Sequence, residues 1–222
     1  MRDHNQEFQN NEMRQYAYEF DSVIRKYMMR TIAPFFRFNV KALEIGCFEG
    51  ESTGLFADHF KDLTVVEASD QLIETAKSHV PANVKFVHAT IETANMAPIY
   101  DSIFLIHTLE HLDDPVACLD RIRNWLSPGG RLFIIVPNAN AASRQIAVKM
   151  GLIESNQSVT EGEKAHGHRC TYSLDTFKPF ANFQFDALMK HEIIGQAYLD
   201  GCYALGMQYP ELTAIIYLIC TA

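Results

Sequence analysis

The sequence predicts an α/β domain with a doubly wound, mostly parallel sheet, because two kinds of segment alternate along it. The first kind is a short apolar run with the length of a buried strand. These runs occupy residues 42–45, 63–67, 84–88, 102–106 and 131–136. The second kind has apolar residues at helical spacing and occupies residues 51–60, 71–78 and 115–125. Such alternation is typical of parallel strands joined by right-handed crossovers, with helices on both faces of the sheet.

Two regions depart from that alternation. Residues 1–38 become amphipathic until Pro34 stops the pattern, which predicts an N-terminal helical cap ahead of a main domain at 39–222. Residues 139–182 combine a helix-like segment, a polar stretch and a turn rich in histidine, and we predict a lid-like insertion there. After it, residues 186–197 and 212–220 are predicted as a final pair of strands.

The bulk composition fits one domain and disfavours some classes of partner. The chain has 222 residues, of which 48% are hydrophobic, so it suits one well-packed domain with a short appendage. Its formal net charge of −8 and its lack of clustered Lys and Arg argue against nucleic acid or an anionic membrane as a partner. The composition does not distinguish a monomer from an oligomer.

Cysteine usage and hydropathy predict a compartment. The 5 cysteines are scattered and never spaced as C-x-x-C, a pattern typical of reduced thiols in the cytosol. The first residues lack an apolar core of the secretory type, and no window reaches the roughly 18 apolar residues of a membrane helix. We therefore expect a soluble, cytoplasmic protein.

A glycine turn after the first apolar run is the most specific signal of a binding site. Residues 43–50 have the sequence LEIGCFEG, and Glu67 ends the second apolar run. Glycine lets the backbone turn tightly against a ligand, and a carboxylate at the tip of the next strand accepts hydrogen bonds from ribose hydroxyls. Together these residues predict a pocket for a ligand that contains adenosine.

The same turn does not suit a dinucleotide. A pyrophosphate-binding turn has the pattern G-x-G-x-x-G, and Phe48 and Glu51 stand where its later glycines would be. Glu44, Glu49 and Glu51 also place negative charge where two phosphates would lie. A ligand with a positive charge and no phosphate is therefore favoured.

Four motifs in a fixed order carry a family resemblance. They are LEIGCFEG at 43–50, VVEAS at 65–69, YDSIFLIHTLEHLDDP at 100–115 and LSPGGRLFIIVPN at 126–138. The chain resembles the class I S-adenosylmethionine-dependent methyltransferases over about residues 40–138, above all the small-molecule branch with its ubiquinone-, sugar- and natural-product-modifying enzymes. The resemblance implies a Rossmann-like methyltransferase fold with seven strands, the last antiparallel. It also implies S-adenosyl-L-methionine as cofactor and methyl transfer to an oxygen or nitrogen of a small-molecule acceptor.

By this resemblance, the cofactor contacts carry over to positions of this chain. The turn under the methionine part of the cofactor would comprise Glu44, Gly46, Cys47, Phe48 and Gly50. Glu67 would hold the ribose. The adenine would be flanked by Ala68, Ser69, Ala89, Thr90 and Ile91, and the site would be closed beside the sulfonium by His107, Thr108 and Leu109. Phe48 stands where the family usually has glycine, so the turn is expected to be less open.

Methyl transfer to a hydroxyl also needs a base. Histidine is the side chain best suited to that role near neutral pH. The candidate catalytic residues are His111, His166 and His168, because they lie on segments expected to border the acceptor. Each also has a structural interpretation, as a packing, capping or loop histidine.

Residues 107–111, HTLEH, match the H-x-x-E-H pattern of some zinc peptidases. That motif binds metal from a helix, where positions four apart share a face. Here it begins where an apolar strand ends, so we predict no metal site, although His107, His111, His166 and His168 offer nitrogen ligands for a divalent ion.

Two other functions remain open at this point. One is a nicotinamide-dependent oxidoreductase on the same sheet, which predicts tight binding of a dinucleotide. The other is a non-catalytic regulatory protein that keeps the cofactor site, which predicts cofactor binding without turnover.

Overall fold

The computed structural model describes residues 4–5, 15–173, 175–177 and 215–221. Its longer helices are α1 (Gln15–Ile32), α2 (Glu51–Ala57), α3 (Asp70–His79), α4 (Pro115–Arg123), α5 (Ala142–Lys149) and α6 (Glu161–Ala165). Its strands are β1 (Lys41–Ile45), β2 (Asp62–Glu67), β3 (Lys85–His88), β4 (Tyr100–Ile106), β5 (Leu126–Pro137) and β6 (Ile215–Thr221). Short 3-10 turns at Ala33–Phe35 and Leu109–His111 follow α1 and β4.

The strands form one sheet in the order β3-β2-β1-β4-β5-β6. Strands β1 to β5 are parallel, and β6 runs antiparallel to β5. The chain passes from β3 at one edge back to β4 beside β1, so the strand order reverses between β1 and β4. Ligands of open α/β sheets bind at the carboxyl ends of the strands next to such a reversal. The predicted α/β fold with a parallel sheet is confirmed.

Alternate residues of the central strands face opposite sides of the sheet and build two cores. On one side, Leu43 and Ile103 pack with Leu119 and Ile122 of α4. On the other side, an aromatic cluster fills the space beneath α1. Because both faces of the strands are buried, they appear in the sequence as continuous apolar runs.

The aromatic cluster anchors the segment after α1 to the sheet. Phe104 stacks against Phe56 and Phe133, with ring centroids 4.1 and 4.9 Å apart. Phe36 meets the rings of Phe104 and Phe133 edge-on, at 5.3 and 5.5 Å. Residues predicted to belong to the N-terminal cap therefore contribute to the core of the main domain.

Side-chain caps begin the helices that follow β2 and β4. Ser69 Oγ accepts a hydrogen bond from Leu72 N at 3.2 Å at the start of α3. Asp114 Oδ1 accepts one from Ala117 N at 3.0 Å at the start of α4. These caps satisfy N–H groups that have no partner within the helix. They also fix the path of the short loops between strand ends and helices.

The predicted fifth strand, 131–136, is too short. In the structure β5 begins at Leu126, and the pairing of β4 with β5 shifts register between Tyr100 and Ser102. The extra residues include Pro128 and Gly129, the latter with φ 70°, which carry no strand signal in the sequence. Their place in the strand depends on the neighbouring β4.

The region predicted as a lid contains α5 and α6 and packs back onto the sheet. Asn138 forms an isolated parallel bridge with Tyr172, and Ala139 N donates to Tyr172 O at 2.7 Å. Arg169 N donates to Glu110 O at 2.8 Å. The division into cap, main domain and lid stays a prediction. Of the expected final strand pair, 186–197 lies outside the described residues.

None of the helices in the described part of the chain is long and apolar enough to cross a membrane.

Replacing Phe36 by alanine should lower the free energy of unfolding by about 3–5 kcal/mol, because it removes a buried ring from the aromatic cluster. Urea denaturation measures the change. Phe38→Ala is the matched control, since Phe38 is 77% exposed and its removal should cost no more than about 0.5 kcal/mol. Equal losses from the two variants would contradict the role assigned to Phe36.

Candidate functional site

The glycine turn lies where β1 ends, at the reversal in strand order. Gly46 has φ 77°, a conformation that favours glycine, and its N–H donates to Val66 O at 2.9 Å. A Cβ at Gly46 would lie 2.6 Å from Thr108 Oγ1. The Thr108 hydroxyl in turn donates to Ile45 O at 3.0 Å. The glycine therefore allows the ends of β1 and β4 to approach closely.

Glu67 ends β2 and joins this turn to the next loop. Its Oε2 accepts a hydrogen bond from Cys47 N at 3.0 Å, and its Oε1 accepts one from Ser69 N at 2.9 Å. An ionised carboxylate has about four lone-pair sites. Both oxygens of Glu67 therefore keep acceptor capacity for the hydroxyl groups of a ligand.

Cys47 contributes to the site through its backbone. Its side chain is buried, and burial raises the pKa of the thiol well above its usual value. The thiol therefore stays protonated and is a poor nucleophile at neutral pH. The N–H group of Cys47, held by Glu67, is the part that shapes the turn.

Glu44, on β1, is fully buried and contacts α2. Its Oε2 accepts a hydrogen bond from Thr53 Oγ1 at 2.6 Å, and no donor among the described residues reaches its Oε1. Burial raises the pKa of Glu44 to about 8, so the carboxyl group is largely protonated at neutral pH. The expectation that Glu44 adds negative charge to the turn is therefore not met, because burial favours its neutral form.

Arg25, on α1, brings a positive charge to the start of α2. Its Nη1 donates to Ser52 Oγ at 2.5 Å, and its Nε lies 3.1 Å from Glu51 Oε2. No motif in the sequence marks Arg25 as part of the site. The helical pattern of α1 indicates which of its faces is apolar, but not which element that helix packs against.

Two residues beside the reversal adopt a left-handed backbone conformation that side chains disfavour. Phe48 has φ 51° and His107 has φ 50°. Each such position costs of order 1–3 kcal/mol and persists only where the surroundings enforce it. The φ of Phe48 gives the physical reason why glycine suits that position of the turn. Residues of this kind cluster at functional sites.

The loops after β2 and β3 lie side by side. Ala89 N donates to Glu67 O at 3.0 Å, which continues the strand pairing past the end of β3. Ala68, Ala89 and Thr90 are half-buried. Ile91 is 5% exposed and belongs to the core, so only its edge is available to a ligand.

The N-terminal segment reaches these loops. Ser69 Oγ donates to Asn5 Oδ1 at 2.5 Å, and Asn5 Nδ2 donates to Asp70 Oδ1 at 2.9 Å. Asn5 therefore contacts the start of α3, two residues beyond Glu67. This contact places part of the predicted cap beside the predicted ribose site.

The histidines proposed as bases are brought together only in part. The rings of His111 and His168 meet edge to face, with centroids 4.6 Å apart. Glu110 joins them, and the potential ligand atoms of the three residues lie within 4.8 Å of one another. His166 is buried at the end of α6, where its N–H donates a hydrogen bond to Gly162 O. It is not part of the group formed by Glu110, His111 and His168.

Glu110 is 1% exposed and lies among imidazoles. Burial acts to raise the pKa of Glu110, but the neighbouring His107 and His111 lower it overall. His107 Nδ1 lies 3.5 Å from Glu110 Oε1. As the sequence indicated, HTLEH does not lie on an α-helix, because residues 109–111 form a single 3-10 turn. In the sequence, Glu110 stands out only as one position of that motif.

Gly46→Ala should lower the free energy of unfolding by about 1–3 kcal/mol, because the new Cβ meets Thr108 and the backbone keeps a positive φ. Thermal or urea unfolding measures the loss. Gly54→Ala is the control: it lies on α2, a Cβ there meets nothing within 4 Å, and the helix should be unaffected or stabilised by about 0.5–1 kcal/mol. Equal stability of Gly46→Ala and the wild type would contradict the close approach of β1 and β4.

The stability of the protein should depend on pH through Glu44. The folded-state pKa is raised from 4.5 to about 8, so the folded state holds the proton more tightly than the unfolded state. The stabilisation from this group is complete below pH 4.5 and is lost as pH rises towards 8. Urea denaturation of the wild type and of Glu44→Gln across that range measures it. As pH rises, the free energy of unfolding of the wild type should fall relative to that of Glu44→Gln. A difference that stays constant across the pH range would contradict the assignment.

Comparison with known proteins places the chain in a family. The model of the methyltransferase domain family matches residues 12–185. The chain is 30% identical over 113 residues to the ubiquinone biosynthesis O-methyltransferase of Xylella fastidiosa, a match covering 49% of this chain and 46% of that protein. The chain thus spans about half the length of the relatives that it matches.

Solved structures share the fold at low identity. A possible histamine N-methyltransferase from Thermotoga maritima superposes with a TM-score of 0.65 at 17% identity, covering 97% of this chain and 99% of that one. The N-methyltransferase NodS of Bradyrhizobium japonicum, solved with S-adenosyl-L-homocysteine, gives a TM-score of 0.57 at 17% identity, covering 88% and 83%. These likenesses concern the fold alone. The family model, in contrast, covers most of the sequence, and the chain belongs to the methyltransferase domain family.

Proposed function

We propose that this chain transfers the methyl group of S-adenosyl-L-methionine to an oxygen or nitrogen of a small molecule. The observation that carries the proposal is the carboxylate of Glu67 at the end of β2, joined by hydrogen bonds to the glycine turn at the end of β1. This arrangement lies at the reversal of strand order, where the fold binds ligands.

The residues at the turn fit this cofactor. Gly46 lets the end of β1 approach Thr108 closely, and no pattern of glycines for a pyrophosphate is present between it and α2. Glu67 would hold the two ribose hydroxyls with its remaining lone pairs. Arg25 would attract the carboxylate of the methionine moiety.

The remaining contacts follow from the loops around Glu67. The adenine would lie among Ala68, Ser69, Ala89, Thr90 and Ile91. The sulfonium would be enclosed by the backbone of Gly46, Cys47, Phe48 and Gly50 and by the loop of His107, Thr108 and Leu109. Asn5 already forms a hydrogen bond with Ser69. When the cofactor binds, Asn5 would therefore either stay beside the ribose or move aside.

The bound cofactor supplies a methyl group that is already activated by its positive sulfur. The chain must therefore mainly orient the acceptor in line with that group and exclude water, which lowers the barrier by several kcal/mol. For a hydroxyl acceptor, His111 and His168 would border the substrate and accept its proton. His166, which is buried away from their group, is the weakest of the three candidate bases.

A small-molecule acceptor is supported by charge and by relatives. The net charge of −8 disfavours nucleic acid, and the relatives that match are named as O- and N-methyltransferases of small compounds. The region 139–182 would cover the acceptor and set its identity, and 1–38 would cap the cofactor. A seventh strand within 186–197 and a cytoplasmic location complete the proposal as further predictions.

The alternatives make different demands on the same turn. A nicotinamide-dependent oxidoreductase would need space and donors for two phosphates, which Phe48 and Glu51 do not supply. A non-catalytic cofactor-binding protein would leave the histidine group beside the sulfonium without a role. Membership of the methyltransferase domain family favours neither.

Glu67→Gln should weaken binding of S-adenosyl-L-homocysteine by about 10- to 100-fold, because an amide nitrogen replaces one acceptor oxygen. Titration calorimetry measures the dissociation constant, and circular dichroism confirms that the variant folds. Glu74→Gln, at an exposed position on α3, is the matched control and should bind as the wild type does.

The same titration with a nicotinamide dinucleotide tests the rival function. Binding of the dinucleotide together with failure to bind S-adenosyl-L-homocysteine would overturn the proposal. Incubation with S-adenosyl-L-methionine and a metabolite extract should then yield a compound heavier by one methyl group. Cofactor binding with no methylated product from any acceptor would favour the regulatory protein.

A further inference from the structure

We propose that one basic and aromatic surface of this chain docks on a lipid bilayer that contains anionic phospholipid. The surface is formed by Arg30, Arg37, Phe38, Lys41 and Arg131. We call it the amino-end surface, because it lies where the central strand β1 begins. The docking does not depend on the proposed function, since none of these residues belongs to the cofactor site.

Positive charge is concentrated in one stretch of the sequence, although the chain as a whole carries a net charge of −8. Residues 22–43 contain 5 Lys and Arg side chains and no Asp or Glu. These cations are too widely spaced to form a cluster in the sequence, and the fold brings several of them to one end of the sheet. Because salt limits electrostatic attraction to about 8 Å, the charges nearest to a partner decide how it is attracted.

The exposed cations of this surface lack carboxylate partners within the described part of the chain. On α3 and β3, the exposed Lys77 and Lys85 each form an ion pair with a neighbouring carboxylate, at 2.8 and 2.7 Å. Arg30, Arg37 and Lys41 are exposed as well, but none of them forms an ion pair with another described residue. Among these residues, their charge is thus left for an external anion.

Arg131 adds a half-buried positive charge to the same end of the sheet. The strand pairings of Ala42 with Ser102 and of Ser102 with Arg131 place it level with the start of β1. Its Nη1 donates to Phe35 O at 2.5 Å, and its Nε has no acceptor among the described residues. Burial and the like charge of the nearby Arg37 lower the pKa of Arg131. An anion close to both guanidinium groups would offset their repulsion.

Phe38 gives the surface an apolar side chain that projects into solvent. It is 77% exposed, more than any other large hydrophobic side chain in the described part of the chain. Phe36, two residues earlier, is buried in the aromatic cluster, and Asn39 turns the chain with φ 57°. Phe38 is therefore held outward by an anchored segment. Single exposed rings are common on proteins, but this one stands between the cations Arg37 and Lys41.

The last turns of α1 extend the amino-end surface. Lys26 and Arg30 are four positions apart and therefore share a face of the helix. Tyr27, next to Lys26, is 46% exposed, and a ring with a polar tip suits the boundary between water and hydrocarbon. Arg25 does not contribute, because its guanidinium contacts the start of α2.

An anionic bilayer fits this combination of side chains better than other polyanions do. Each Lys or Arg close to a membrane with anionic lipid strengthens binding about fivefold. An exposed apolar ring between such cations enters the boundary between headgroups and acyl chains. A phosphate backbone offers no comparable gain to Phe38, which has no polar atom. The other use of an exposed ring is stacking on the bases of single-stranded nucleic acid.

The amino-end surface and the proposed cofactor site lie at opposite ends of β1. Lys41 is the first residue of this strand, and Ile45, the last, precedes the glycine turn. A strand of 5 residues separates these ends by about 13 Å. A chain docked through Phe38 and Lys41 therefore keeps its cofactor site away from the lipid. Its acceptor would then arrive from water, a consequence that, unlike the docking, rests on the proposed function.

Sedimentation of the full chain with vesicles tests the docking. Vesicles of phosphatidylcholine with about one third phosphatidylglycerol should bind the chain about tenfold or more tightly than vesicles of phosphatidylcholine alone. Raising the salt concentration from about 0.05 to about 0.5 M should weaken this binding by about tenfold or more, because salt screens the attraction. Equal binding to the two kinds of vesicle, or binding to neither, would overturn the proposal.

Substitutions at the surface test which residues carry the binding. Arg37→Gln combined with Lys41→Gln should weaken binding to the anionic vesicles by about tenfold or more, because two charges are removed. Phe38→Ala should weaken it by about threefold or more, because the inserted ring is lost. Lys77→Gln combined with Lys149→Gln removes the same charge from exposed positions on α3 and α5 and should bind as the wild type does. Unchanged binding in both surface variants, or equal weakening in this control, would overturn the proposal.

Two further measurements separate the possible outcomes. Circular dichroism and urea denaturation show whether each variant is folded. Polyuridylate is the probe for single-stranded nucleic acid. If it binds more tightly than the anionic vesicles at the same salt concentration, and the surface variants lose that binding, the lipid assignment is overturned. The surface variants should bind S-adenosyl-L-homocysteine as the wild type does, so a failure of docking and a failure of the proposed function are distinguishable.

Discussion

The carboxylate of Glu67 is the constraint on which the site depends. A buried carboxylate needs hydrogen-bond donors, and that of Glu67 takes one from the turn after β1 and one from the loop after β2. Both loops are therefore held in a defined position by one side chain. Gly46, whose N–H is bound to Val66 O, adds a second tie between the same strands. The loops of the proposed cofactor site are thus fixed relative to the strands of the sheet.

The functional end of the sheet has two chemically different halves. The ends of β1, β2 and β3 provide a carboxylate, small side chains and backbone groups, which suit recognition of an adenosine. The end of β4 and the segment around His168 provide imidazoles and the carboxylate of Glu110. The two halves meet at the reversal in strand order, where Phe48 and His107 hold disfavoured backbone conformations. Strain of this kind is maintained by the packing around it.

The N-terminal region contributes at three separate places. Phe36 packs in the aromatic cluster, Arg25 contacts the start of α2, and Asn5 contacts the start of α3. A segment that the sequence predicts as an appendage is thus attached both to the core and to the borders of the proposed site. Changes in its packing would therefore alter the borders of the proposed site.

The sequence by itself determined the α/β fold, the parallel strands and the meeting of the glycine turn with Glu67. Buried strands appear as apolar runs, and the carboxyl ends of neighbouring parallel strands always meet at one edge. It placed the start of β5 wrongly, because Pro128 and Gly129 carry no strand signal of their own. Only the tertiary structure decided the neutral state of Glu44, the contact of Arg25 with α2, and the grouping of Glu110, His111 and His168. Those features depend on packing between segments far apart in the chain, and periodicity identifies the buried face of a segment without identifying its partner.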